Sequence, residues 1–118
     1  MGMRIAVKGP FKFTKKERIT QPQDFRRVMK FGRRISSRSF ILFKQKNECA
    51  FHRLGIVAKK EIGPATFRNR MKRYIREFFR LHKHHIKGSY DFILMIKTGC
   101  SIHRGQEAEE ELGRLFIL

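Results

Sequence analysis

The spacing of the apolar residues predicts three helices. The first is expected to begin at Pro22, because proline is favoured at the first helical position, and to end at Gly32. The second is the longest, at about residues 65–84, and the last spans about residues 105–115. In the long helix, apolar residues recur three and four positions apart and therefore share one side. That side carries Phe67, Met71, Tyr74, Ile75, Phe78, Leu81 and His82.

Strand-like patterns occupy the segments between these helices. Residues 38–44 alternate between two apolar faces, and a second strand is expected at about residues 51–58. The nearly continuous apolar run at residues 90–97 is typical of a strand that is buried on both faces. An extra strand is left open within residues 38–60, which gives two or three strands before the long helix. Either order predicts an α+β fold, a single-domain α-β sandwich with one central sheet.

The length and composition indicate one folded domain after a short arm. Residues 1–18 are basic, are interrupted by Gly and Pro, and have no periodicity, which predicts a flexible basic N-terminal arm. Residues 19–118 then form the single domain, which is long enough for one core. Hydrophobic residues make up 41% of the chain, so it is not a disordered basic tail.

The net charge of the chain indicates a polyanionic partner. It is +18 at neutral pH, and the sequence pI is about 11.0. A field of this strength favours nucleic acid or an anionic membrane surface. The membrane is the weaker alternative, because no apolar stretch approaches the ~18 residues of a spanning segment. The N-terminus lacks the apolar run of a signal peptide, and two Cys fit free thiols, so a cytoplasmic location is expected.

The polar side of the long helix is almost uniformly positive. Only Glu77 is acidic in this region, so the cations repel one another until an anionic partner neutralises them. A face that is merely solvated is therefore the less favoured interpretation. The polar side consists of Arg68, Asn69, Lys72, Arg73, Arg76, Arg80 and Lys83.

Motifs along most of the chain resemble the protein subunit of bacterial ribonuclease P. An apolar strand leads to a basic, Gly-containing loop and then to a helix of the pattern RNR-x-KR-xx-RE. These motifs are Gly55-Ile56-Val57, residues 59–65 and residues 68–77, with Asp24-Phe25-Arg26-Arg27-Val28, Gly32 and Arg38-Ser39-Phe40 upstream. The resemblance extends from about residue 15 to residue 115. It implies the fold of that family, an α-β sandwich with a left-handed β-α-β crossover, against the usual right-handed rule.

The resemblance also implies a function. The protein of that family binds the catalytic RNA of ribonuclease P, and the complex hydrolyses the phosphodiester bond that releases the 5′ leader of precursor tRNA. The implied cofactor is Mg²⁺, bound by the RNA–protein complex and mainly by the RNA, so the protein is an accessory subunit. The implied partners are ribonuclease P RNA and precursor tRNA, with no membrane and no small-molecule substrate.

Family roles carry over to three groups of residues. The first binds RNA through the basic helix: Arg68, Asn69, Arg70, Lys72, Arg73 and Arg76. The second lines the leader-binding cleft: Phe25, Met29, Ile41 and Phe43. The third belongs to the loop before the helix: Lys59 and Lys60. Three positions depart from the family pattern, since Met29, Phe43 and Pro64 stand where a second aromatic, a Tyr and an Asn or Lys are usual.

Two other functions are compatible with parts of the sequence. A ribosomal or assembly protein would share the positive charge but would have no affinity specific for the precursor. A protein-only metallonuclease would need the pairs Cys49/His52 and Cys100/His103 to converge as four zinc ligands. Because such pairs arise easily by chance and lie near different strands, we expect no metal site.

Overall fold

The computed structural model describes residues 12–117 of the chain. Three helices and four strands follow in the order α1, β1, β2, β3, α2, β4, α3. The helices are α1 (Pro22–Phe31), α2 (Ala65–His82) and α3 (Gly105–Ile117). The strands are β1 (Arg33–Ser36), β2 (Phe40–Lys46), β3 (Arg53–Val57) and β4 (Tyr90–Ile96). Short 3-10 helices are formed by Lys15–Glu17, Lys60–Ile62 and Lys83–His85.

The ends of α1 and α2 follow from local chemistry. Pro22 is the first residue of α1, as predicted, and Gly32 ends the helix by donating its N–H to the oxygen of Val28 at 2.8 Å. A Cβ at residue 32 would lie 2.5 Å from that oxygen, so the turn into β1 requires glycine. The long helix begins at Ala65 and ends at His82, slightly earlier than predicted, where a 3-10 turn replaces it.

The four strands form one mixed sheet in the order β1-β2-β4-β3. Strand β2 pairs antiparallel with β1 and β4, whereas β3 and β4 run parallel. A parallel pair requires a crossover connection, and here α2 provides it. One sheet with helices on both faces confirms the predicted α+β sandwich, while the left-handed sense of the crossover stays an implication of the resemblance.

The extra strand lies outside the interval in which the sequence left it open. It is β1, Arg33–Ser36, whereas residues 38–60 contain only β2 and β3. That part of the prediction is therefore wrong in position. Three of the four β1 residues are exposed at the edge of the sheet, and Ile35 is its single apolar residue. Such a strand has no alternation that a pattern of apolar residues can reveal.

Strand β4 lies at the centre of the core and is buried on both faces, as predicted. Phe92 and Leu94 point to the face covered by α2 and α3, and Ile93 points to the face covered by α1. The α2–α3 face holds the larger cluster, which includes Phe40, Leu42, Met71, Ile75, Phe79 and Leu112. The α1 face holds a smaller one, with Ile19, Val28, Phe43 and Ile93. A single helix of ten residues covers only part of this second face.

Residues 12–18, which the sequence assigned to the flexible arm, pack on the domain. The ring of Phe13 meets the ring of Phe79 edge-on, with centroids 5.4 Å apart. The packed chain therefore begins before the predicted boundary at residue 19, because an aromatic anchor lies upstream of it. The rest of the predicted arm, residues 1–11, lies outside the described residues.

Candidate nucleic-acid interface

The pairing register aligns the side chains of the α1 face in three rows that cross the sheet. We call them the open row, the covered row and the charged row. The open row consists of Val57, Met95, Ile41 and Ser36. The covered row consists of Gly55, Ile93, Phe43 and Arg34. The charged row consists of Arg53, Asp91 and Gln45.

Helix α1 lies on the covered row. Val28 and Ile93 are fully buried at this contact, and Phe43 is only 7% exposed. A Cβ at Gly55 would lie 2.8 Å from Cζ of Phe25, so the Phe25 ring rests directly on the β3 backbone. Glycine at this position allows the close approach of helix and sheet.

The charged row ties the same helix to the sheet. Asp91 is fully buried, and its carboxylate accepts hydrogen bonds from Arg53 at 2.8 and 2.6 Å. It also accepts from Arg27 of α1 at 2.9 Å and from Asn47 at 2.8 Å. Burial alone would raise the pKa of Asp91, but these hydrogen bonds outweigh that effect and hold its pKa below the ordinary value. Ion pairing therefore adds to the apolar packing that positions α1.

The open row is the part of the α1 face that the helix leaves accessible. Val57, Met95 and Ile41 are each only half-buried, whereas Ile93 and Phe43 of the covered row beside them are buried. They belong to one apolar cluster with Phe25 and Met29 of α1. We call this half-open floor, together with its α1 wall, the cleft.

Two exposed lysines stand at one end of the cleft. Strand β3 ends at Val57, and Lys59 and Lys60 follow it before α2 begins. The open row therefore lies at the end of the sheet from which this basic loop leaves. The cleft thus combines an apolar floor with a positively charged end.

Sequence reasoning assigned four residues to the cleft: Phe25, Met29, Ile41 and Phe43. The first three border it and are half-buried. The last differs, because it belongs to the covered row and its ring is buried beneath α1. Two further floor residues, Val57 and Met95, were missed, since only the pairing register shows that they lie beside Ile41.

Helix α2 has an apolar face and a basic face, as its periodicity predicted. The buried residues are Met71, Ile75, Phe78 and Phe79. The residues predicted to bind RNA include three that are exposed, namely Asn69, Arg73 and Arg76. The other three, which are half-buried, are Arg68, Arg70 and Lys72. The basic face is therefore presented outward while the helix remains anchored in the core.

Two of the half-buried arginines are held by neighbouring groups. Nε of Arg68 donates to the carbonyl oxygen of Gly63 at 3.2 Å, which links the helix to the preceding loop. The guanidinium of Arg70 lies 5.5 Å from the centroid of the Phe67 ring. Side chains that are already oriented lose less conformational freedom on binding. Arg68 and Arg70 are therefore already oriented without a bound partner.

His52 is buried and has a structural role in the fold. The ring is buried, its Nδ1 accepts from the N–H of Tyr90 at 3.0 Å, and its Nε2 donates to the oxygen of Ile86 at 2.9 Å. Both ring nitrogens are therefore engaged, and neither is left for a metal. Within residues 12–117, no group of three or more His, Cys, Asp or Glu is placed to hold a metal ion.

Comparison with known proteins agrees with this arrangement. The family model described as Ribonuclease P matches residues 13–117, nearly the whole described chain. The chain belongs to the ribonuclease P protein family. It is 38% identical over 102 residues to the ribonuclease P protein component of Syntrophus aciditrophicus, covering 86% of each chain. It is 39% identical over 95 residues to that of Dictyoglomus thermophilum, covering 80% of this chain and 78% of the relative.

Solved structures of ribonuclease P proteins share the fold. A mutant of the Staphylococcus aureus protein superposes with a TM-score of 0.80 at 33% identity, covering 85% of each chain. The Thermotoga maritima protein gives a TM-score of 0.78 at 31% identity, covering 86% of this chain and 96% of that one. The arrangement of one mixed sheet and three helices is thus that of the ribonuclease P proteins.

Family membership establishes the role that the resemblance implied. The chain is a ribonuclease P protein component, the accessory subunit of the endonuclease that removes the 5′ leader of precursor tRNA. Its partner in that ribonucleoprotein is ribonuclease P RNA. No helix among residues 12–117 is long and apolar enough to span a membrane.

Proposed function

We propose that the cleft binds the 5′ leader of precursor tRNA and that the basic face of α2 binds ribonuclease P RNA. One observation carries the proposal for the cleft. Val57, Met95 and Ile41 stay only half-buried on a sheet face where α1 buries Ile93 and Phe43 of the neighbouring row. An accessible apolar floor beside a basic loop suits an unpaired strand, which offers flat bases and charged phosphates.

Different groups that border the cleft contact the bases and the phosphates of the leader. Phe25 and the two methionines, Met29 and Met95, offer an aromatic ring and polarizable thioethers to the bases. Base–aromatic stacking contributes about 1–3 kcal/mol per base and tolerates any sequence. Lys59 and Lys60 supply positive charge for the leader phosphates.

The basic face of α2 supports RNA binding through phosphates. Arg73 and Arg76 project into solvent, and Arg68 and Arg70 are held in place by Gly63 and Phe67. Arginine can contact a phosphate through two parallel N–H groups, whereas Lys72 acts as a point charge. Contacts of this kind position an RNA and make its affinity dependent on salt.

Among residues 12–117, no three or more Asp, Glu, His or Cys side chains are grouped so that they could hold a Mg²⁺ ion. Mg²⁺ prefers carboxylate and other oxygen ligands, yet Asp24, Asp91 and Glu17 each pair with Arg or Lys. We therefore assign the Mg²⁺ of the reaction to the RNA–protein complex, with ligands mainly from the RNA. The half-buried free thiols of Cys49 and Cys100 suit the reducing cytoplasm, where we place the complex.

The substitution Met95→Ser tests the cleft, because it removes an accessible apolar side chain from the centre of the floor. We expect affinity of the reconstituted holoenzyme for precursor tRNA to fall about tenfold, the equivalent of ~1.4 kcal/mol of contact between the thioether and a base. Affinity for mature tRNA should not change. The matched control is Ile117→Ser, which makes the same kind of change on α3, at a residue 48% exposed.

Binding should be measured with precursors of increasing leader length, and thermal unfolding should confirm that the variant is folded. Equal losses for precursor and mature tRNA would contradict a leader-binding cleft. No loss for either RNA would contradict it as well.

A further inference from the structure

A pocket of about 170 Å³ opens beside β3, at the edge of the sheet. Its walls come from the N-terminal segment at residues 13–20, from α1 and from α2. Its functional groups are two phenyl rings and three cations, those of Phe13, Phe25, Arg18, Lys72 and Arg76. We call it the edge pocket. The floor residues of the cleft do not line it, although Phe25 borders both.

The N-terminal segment is fixed in place and therefore forms a lasting wall. Phe13 packs edge-on against Phe79, and the N–H of Ile19 donates to a carbonyl oxygen of β3 at 2.9 Å. Between these points Glu17 forms an ion pair with Lys83 of the turn after α2, and the two side chains are only 9% and 13% exposed. Three separate contacts thus hold the segment against the domain.

The three cations of the edge pocket have no acidic partners. Within the part of the chain that the structure describes, Arg18, Lys72 and Arg76 form no ion pair. The guanidinium of Arg18 lies 5.2 Å from the centroid of the Phe13 ring. Uncompensated charges that converge beside aromatic walls favour a ligand with both an anionic group and a flat ring.

The volume limits the ligand to one small unit. Pockets for drug-sized molecules measure about 300–1,000 Å³, so the edge pocket, at about 170 Å³, suits a group of nucleobase size. We propose that it binds one unpaired nucleotide of RNA. The base packs against Phe13 and Phe25, and Arg18, Lys72 and Arg76 hold the phosphate.

This proposal rests on the proposed function, because the nucleotide belongs to an RNA that the protein already binds. Two sources share the chemistry, namely the 5′ leader of the precursor and an unpaired position of ribonuclease P RNA. The pocket adds to the cleft a site with its own walls, and the two sites can be tested separately.

The first test replaces Arg18 with Gln. Arg18 is exposed, and its substitution removes one cation and its contact with the Phe13 ring. The packing of Phe13 on Phe79, the Glu17–Lys83 ion pair and the Ile19 hydrogen bond do not involve the Arg18 side chain. The matched control is Lys16→Gln, which removes one positive charge from the same segment outside the pocket. Two affinities are measured: that of the protein for ribonuclease P RNA, and that of the holoenzyme for precursor and mature tRNA. We expect one of them to fall about tenfold, as for one lost charge-assisted hydrogen bond.

Each outcome either identifies the RNA that supplies the nucleotide or shows that the edge pocket binds none. A loss confined to ribonuclease P RNA assigns the nucleotide to that RNA, and a loss confined to precursor tRNA assigns it to the leader. If Arg18→Gln weakens neither interaction more than Lys16→Gln does, the edge pocket binds no nucleotide.

A second test reports on the pocket directly. The chain contains no Trp, so Phe13→Trp introduces a single tryptophan at the pocket wall, and a stacked base should quench its emission. The matched control is Phe31→Trp, at a residue that is 68% exposed and does not line the pocket. Strong quenching at position 13 and little at position 31 is expected on addition of the RNA identified above. Equal quenching at both positions, or none at position 13, would overturn the assignment.

The two proposals fail in different ways. If Met95→Ser does not affect precursor binding while Phe13→Trp is quenched by ribonuclease P RNA, the cleft assignment fails and the edge pocket stands. If Met95→Ser acts as expected while Arg18→Gln behaves like Lys16→Gln, the pocket assignment fails and the cleft stands.

Discussion

Gly55→Ala should displace the helix that forms one wall of the cleft. A Cβ at this residue would lie 2.8 Å from Cζ of Phe25 and 2.8 Å from Cδ1 of Ile93. Carbon atoms in favourable contact are about 3.5–4.0 Å apart, so the Phe25 ring must retreat by at least roughly 0.7 Å. Ile93 is fully buried in the central strand and cannot yield easily. The strain therefore falls mainly on Phe25 and, through it, on α1.

The decrease in the free energy of unfolding can be estimated from this geometry. Overpacking a core by one methyl group typically costs about 1–3 kcal/mol. A domain of this size loses roughly 4 °C of melting temperature per kcal/mol, so we expect a decrease of about 4–12 °C. Because α1 also forms the wall of the cleft, affinity for precursor tRNA should fall more than affinity for mature tRNA.

Thermal unfolding followed by circular dichroism measures the stability, with Gly113→Ala as the matched control. A Cβ at Gly113, inside α3, meets nothing within 4 Å, so this change should be neutral or stabilise by about 0.5–1 kcal/mol. The double mutant Gly55→Ala/Phe25→Leu should recover part of the loss, with a coupling energy of about 1 kcal/mol. An unchanged melting temperature, or a penalty that Phe25→Leu does not reduce, would refute the reasoning.

Two further predictions concern the charges. Asp91→Asn should lower the free energy of unfolding near neutral pH by about 3 kcal/mol, because it breaks a buried ion pair. Since the folded pKa of Asp91 is depressed, its stabilisation is present above the ordinary pKa and lost as the pH falls through the folded value. The difference between the two proteins in denaturant titrations should therefore shrink below about pH 4, and a constant difference would contradict this. Arg73→Ala should weaken binding of ribonuclease P RNA and reduce the slope of log affinity against log salt concentration by about one unit, whereas Arg114→Ala on α3 should do neither. Equal slopes for wild type and Arg73→Ala would show that Arg73 does not belong to the interface.

The pattern of apolar residues was sufficient to predict an element when the element's own residues show that pattern. The long helix shows its amphipathic period along its whole length, and both its start at Ala65 and its buried residues Met71, Ile75 and Phe78 were predicted. Strand β4 was predicted because a continuous apolar run is typical of a strand between two layers. Strand β1 has one apolar residue and forms only because β2 offers it a partner, so its position required the pairing itself.

The cleft shows the same limit at the level of single residues. Alternation along β2 predicts that Ile41 and Phe43 share a face, but it cannot tell which of them a helix will cover. That choice is made by Gly55, which brings the Phe25 ring onto the sheet, and by Asp91, which pairs with Arg27 of α1. Both contacts join residues far apart in the chain, and they place α1 over the row of Phe43 instead of the row of Ile41. The accessible floor of the cleft is thus defined by long-range contacts that leave no local pattern.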